Sequence, residues 1–164
     1  MQLLRHHPSG PAQSNPTHRS TARRSARVRR SFAVALLGLT LVAGACTRTP
    51  EAQQSFDLLN SERTARGLHA VQLDPQLVSK AHDWAVQMSR TGRVSHSRLT
   101  DGAGDNWTVL AENVGQAPNV AEANRLFMNS SVHRSVILDR RMTRAGTGAV
   151  VAGGRVWVVQ VFAG

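Results

Sequence analysis

Val-Trp-Val-Val-Gln-Val-Phe, residues 156–162, carries apolar side chains on both of the faces that an extended chain presents. Successive strand residues point to opposite sides, so Val156, Val158, Gln160 and Phe162 share one face and Trp157, Val159 and Val161 the other. A strand wetted on one side would be polar at every second position, and this one is not. It therefore reads as a central strand covered by helices on both faces. The run Ala149-Val150-Val151 precedes it, and Gly153-Gly154 supply the turn that joins the two runs into a hairpin.

The helices that such a strand needs lie upstream. Asp74 is an N-cap, Pro75 sits in the first turn, Leu77, Ala81, Trp84, Ala85 and Met88 recur at helical spacing, and Gly92 ends the pattern. An earlier helix runs from Gln54 through Phe56, Leu59 and Ala65 to a left-handed glycine at Gly67. Asn119 caps a third, whose Val120, Ala123 and Phe127 share a face, and Ser131 caps a short fourth that runs through His133 to Leu138. Between them, the Gly- and Asp-rich segment Ser97 to Thr108 is a loop that leads into a strand from Val109 to Val114. The predicted fold class is α+β, a three-layer α-β-α sandwich with a central antiparallel sheet. It occupies residues 54–164, one domain with one core, behind a polar tether at 47–53.

Residues 1–46 read as a basic leader and signal peptide. The formal charge of +10 is unevenly placed: seven of the twenty basic residues precede Ser31, and all ten acidic residues follow Cys46. From Thr47 onward there are thirteen basic residues against ten acidic, with no cluster beyond Arg140-Arg141 and no aromatic interleaving, so a nucleic-acid partner is not expected. The apolar run Phe32 to Ala45 is fourteen residues long, short of the roughly 20 that span a bilayer as a helix. Arg29-Arg30-Ser31-Phe32 resembles a twin-arginine export signal, although paired arginines occur in any basic leader, and translation from Val28 is an alternative start. The single cysteine, Cys46, follows Ala43-Gly44-Ala45. Lipidation there would anchor an exported protein to the membrane, ordinary cleavage after Ala45 would release it, and a cysteine without consequence is the third alternative. The domain itself has no disulfide.

Four histidines fall in the domain. His69, in a connector, and His82, beside Asp83 on the polar side of the second helix, read as solvated. His96 follows the Gly92 stop in Val94-Ser95-His96-Ser97, Glu112 lies in Leu110-Ala111-Glu112-Asn113-Val114, and His133 lies in Ser130-Ser131-Val132-His133-Arg134 at a helix junction. Arg134 is expected to pair with an acid or a helix end. Two imidazoles and a carboxylate converging on a cleft can hold a divalent cation such as zinc with a position open to water, or form an acid–base pair poised near neutral pH. They equally fit a structural reading, in which Glu112 accepts backbone N–H bonds from a loop and both histidines fill buried polar positions. No H-E-x-x-H, G-x-S-x-G or Gly-rich phosphate loop is present, and Cys46 lies in the leader.

Leu58-Leu59-Asn60-Ser61-Glu62-Arg63, Gly67-Leu68, Ser95-His96-Ser97, Ala111-Glu112-Asn113-Val114-Gly115, Phe127-Met128-Asn129-Ser130, His133-Arg134, Gly146-Thr147-Gly148 and Val159-Gln160-Val161-Phe162 resemble, in this order, the bacterial branch of the CAP superfamily, also called SCP or PR-1-like domains. The resemblance covers essentially all of residues 54–164 and implies an α-β-α sandwich. It further implies a central cleft in which family members place two histidines and two acids, sometimes around a divalent cation. His96 and Glu112 match the first histidine and the glutamate of the E-N motif. Ser130 stands where many eukaryotic members have an acid and Trp157 where they have a histidine, so His133, from the S-x-x-H-R motif, is the second cleft histidine and a three-group site is expected. Three functions fit: an envelope-tethered module binding a lipid, glycan or peptide; a metal-dependent hydrolase using His96, Glu112 and His133; or a structural interaction domain. The missing nucleophile and the two departures favour the first.

Overall fold

The computed structural model describes residues 2–5 and 48–164. Its elements are β1 (Gln2–Arg5), α1 (Pro50–Thr64), β2 (Gln72–Leu73), α2 (Pro75–Thr91), β3 (Val109–Ala117), α3 (Val120–Asn129), α4 (Ser131–Ile137), β4 (Arg144–Ala152) and β5 (Arg155–Ala163). The strands form one sheet in the order β1-β3-β5-β4-β2. Pairing is antiparallel except between β2 and β4, whose two-residue parallel match makes the sheet mixed rather than wholly antiparallel.

β5 is central, as its two apolar faces require. Val156, Val158 and Phe162 join Leu59, Ala111, Phe127 and Ile137 in a core on the side of α1, α3 and α4, while Trp157, Val159 and Val161 join Leu77, Ala81, Ala85 and Met88 on the side of α2. The polar member of the first face, Gln160, is buried and donates from Nε2 to Ser55 Oγ of α1 at 3.3 Å, and Thr147 Oγ1 donates to the carbonyl of Ala52 at 2.7 Å. On the opposite face Gly146 and Gly148 let α2 lie directly on β4. A Cβ at Gly148 would stand 2.2 Å from the Ala81 carbonyl carbon.

Two boundaries differ from the sequence expectation. α1 begins at Pro50, so residues 50–53 of the expected tether are helical: Thr49 caps them by accepting the Ala52 N–H at 3.1 Å, Pro50 is preset for the first turn, and Ala52 is buried. α4 is capped by Ser130 rather than Ser131, and Ser130 also ends α3, so one residue serves both helices. Residues 2–5, within the expected leader, pair antiparallel with β3 and supply backbone partners to what would otherwise be a bare edge. Cys46, the twin-arginine motif and the apolar run lie outside the described residues. No helix among the described residues is long and apolar enough to cross a membrane.

Candidate functional site

Because alternate strand residues face opposite sides, Glu112 and Asn113 of the E-N pair serve different layers. Glu112 shares the face of Leu110 and Val114, on the α2 side, and is fully buried. A buried carboxylate must be matched by donors, and Glu112 is. Its Oε1 accepts from His96 Nδ1 at 2.8 Å and from the Ser97 N–H at 3.0 Å, and its Oε2 accepts from Ser97 Oγ at 2.7 Å. A carboxylate at Nδ1 selects the Nδ1–H tautomer and fixes the plane of the ring.

The loop that carries His96 is held from beneath by a residue the sequence reading did not single out. Lys80, on the buried face of α2, spends its three N–H donors on Ser97 Oγ at 3.0 Å, the Arg98 carbonyl at 2.9 Å and the Asp101 carbonyl at 2.7 Å. Burial pushes the Lys80 ammonium below its ordinary pKa, against the pull of Glu112 and Asp101. On the N-terminal side, Trp84 Nε1 donates to the Ser95 carbonyl at 2.7 Å. His96 thus sits between two pinned neighbours. The sequence signal for Lys80 was its position, three residues after Leu77 and one before Ala81, where a lysine must find buried acceptors or leave the core stripe.

His133 is placed by the other layer. Asn113 Nδ2 donates to its carbonyl at 3.2 Å, its ring packs tilted against Phe127 with centroids 5.2 Å apart, and burial above all holds its imidazole below the ordinary pKa. Arg134 donates to the Met128 carbonyl near the end of α3, the helix-end role expected of it. His69 and His82 are exposed.

The structure brings His96 and Glu112 together and leaves His133 hydrogen-bonded to neither among the described residues. The three-group cation site expected from the sequence is not assembled among the described residues. Glu112 already accepts three hydrogen bonds, His96 commits Nδ1 to it, and among the described residues no three His, Cys, Asp or Glu side chains stand where they could hold a metal ion. Nor is Ser97 an activated nucleophile, because its proton goes to Glu112 and not to His96. What the pair can do is present an oriented imidazole to a cleft of about 830 Å³ lined by Gln76, Asp83, Trp84, Gln87, Arg98 and His96 itself.

The cysteine-rich secretory protein family, CAP, matches residues 56–162, and the chain belongs to that family, in its bacterial branch. The Bacillus subtilis protein YkwD is 28% identical over 113 residues, 63% of this chain and 44% of its own length. An extracellular SCP-domain protein from Bacillus anthracis superposes with a TM-score of 0.61 at 24% identity, over 69% of this chain and 40% of that one. An outer surface protein of Borrelia burgdorferi superposes with a TM-score of 0.62 at 12% identity, over 69% and 91%. Identities this low establish the sandwich fold alone. The chain spans less than half the length of either Bacillus protein.

Proposed function

We propose that this chain is an exported CAP domain that binds a polar ligand, a glycan or peptide in preference to a lipid, in the cleft beside α2, with His96 as the oriented hydrogen-bonding group. The observation that carries the reading is the buried Glu112 beneath a partly exposed His96: a carboxylate taken out of water in order to aim one ring into an open cleft. Gln76, Asp83, Gln87 and Arg98 place amide, acid and guanidinium heads around one tryptophan, Trp84, so hydroxyls and amides can be met there by hydrogen bonds. The basic leader supports export, as do the descriptions of the Bacillus anthracis protein as extracellular and the Borrelia protein as an outer surface protein. Anchoring through Cys46 is part of the same proposal, and labelled fatty acid should enter the wild type and not Cys46→Ser.

One observation favours a second reading, in which the cluster is structural: Glu112 accepts the Ser97 backbone N–H, the loop-holding role set out for it above. Titration with N-acetylglucosamine oligomers, an alanine tetrapeptide and detergent micelles, read by the Trp84 indole and His96 ring resonances, separates the two. Binding should shift both resonances, and His96→Gln should weaken it roughly tenfold while the fold persists. If none of the three probes moves these resonances, or if His96→Gln leaves affinity unchanged, the structural reading stands instead.

A further inference from the structure

We propose a second binding site, for a phosphate-bearing ligand, at the far side of the sheet from the His96 cleft. A pocket of about 490 Å³ opens between the connector that follows α1 and the start of β4, lined by Arg63, His69, Gln72, Arg140, Thr143 and Arg144 among others. No acidic side chain lines it.

The charge there is only partly matched: Asp139 acts on Arg63 through space and Asp74 pairs with Arg144, which leaves Arg140 as the cation at the pocket without a carboxylate partner among the described residues. Arg63 is 1% exposed and donates only to backbone carbonyls: His69 at 2.9 Å, Ile137 at 2.7 Å, Asp139 at 3.0 Å and Met142 at 3.0 Å. Neutral acceptors hold the guanidinium in place, and Asp139, itself engaged by Arg141, offsets its charge only in part, so Arg63 adds a reduced but fixed positive field to the pocket above it. The two carboxylates nearby are already taken, Asp139 by Arg141 and Asp74 by Arg144. Arg140, the other half of the Arg140-Arg141 pair, is exposed and lines the mouth. A phosphate would therefore meet the Arg140 fork, the His69 ring and the Gln72 amide, with Arg63 acting through its field alone. Carboxylates fit less well, since three phosphate oxygens match this spread of donors and a higher charge exploits the buried cation. From β3, which carries Glu112, to β2, which borders the pocket, is three inter-strand steps, about 14 Å. The two sites can therefore be altered separately.

The test is an amide-resonance titration of the full chain with inorganic phosphate against sodium chloride at matched ionic strength, together with sedimentation on phosphatidylglycerol and on phosphatidylcholine vesicles. Phosphate should give saturable shifts confined to residues 67–72 and 140–144. These should weaken at least roughly tenfold in Arg140→Ala, an exposed position, and persist in His96→Gln. Arg140-dependent sedimentation with the anionic vesicles alone identifies a lipid headgroup as the source of the phosphate, and free phosphate binding without sedimentation identifies a soluble ligand. Shifts reproduced by chloride, unchanged in Arg140→Ala, or absent in every arm overturn the proposal.

Discussion

Arg63, Lys80 and Glu112 are the buried charges around which the connections of this fold are organised, and Arg63 and Glu112 are satisfied in opposite ways. Glu112 gathers donors from one loop, whereas Arg63 gathers carbonyls from its own helix connector, the end of α4 and the loop before β4. Replacing Arg63 by Met would take the donor from four carbonyls, two of these bonds being buried, and should lower unfolding free energy by about 3–5 kcal/mol in a urea titration. His133 predicts a pH response. Burial places its folded-state pKa below the ordinary 6.5, so the unfolded chain takes up the proton at higher pH than the folded one. That contribution is complete above the ordinary value and is lost as pH falls below it. The urea midpoint should accordingly drop between about pH 7.5 and 5.5, and drop less in His133→Gln. Equal slopes in the two proteins would show that His133 is not the titrating group. Of the site, His96 and Glu112 were singled out by the family resemblance, because their spacing along the chain carries no signal of its own. Lys80 was not, because a lone lysine in an apolar stripe looks like a surface residue until its three acceptors arrive from a loop 17 to 21 residues away.

At the scale of elements, the layer contact between α2 and β4 is the most demanding. Gly146 and Gly148 sit beneath the α2 backbone at Leu77–Val78 and Ala81–His82, where an added methyl would meet main chain rather than a movable side chain. Gly148→Ala should therefore cost at least about 3 kcal/mol or abolish folding, seen as loss of soluble yield and of the cooperative thermal transition. A thermal midpoint within a few degrees of wild type would mean that α2 can ride outward on the sheet. The Gly-Thr-Gly pattern was visible in the sequence. What it was for was not, because glycine in a strand marks a bulge, a bend or a close approach with equal force, and only the crossing helix decides among them. The cap of α1 was missed for a related reason. Thr49 and Pro50 are a clear helix start, but they adjoin a leader, and polar residues after a cleavage site look like tether until Ala52 is seen to be buried.

Over the whole molecule the sheet divides the chain into two chemistries, a packed face under α1, α3 and α4 and a face under α2 that opens into the His96 cleft. With Glu112 saturated and His133 held by the other layer, Zn²⁺ should shift the thermal midpoint of wild type and of His96→Ala by the same amount. A rise confined to wild type would show that the His96–Glu112 pair opens to take the ion.

The sequence by itself determined the layering. A strand apolar on both faces has to be covered twice, and helices at 3.6-residue spacing with caps and stops have to do the covering, since no other arrangement removes that surface from water. Only the tertiary structure decided which polar groups meet. Hydrogen bonds act over about 3 Å between residues tens of positions apart, and nothing in the spacing of His96, Glu112 and His133 specifies which two become partners and which one packs against Phe127.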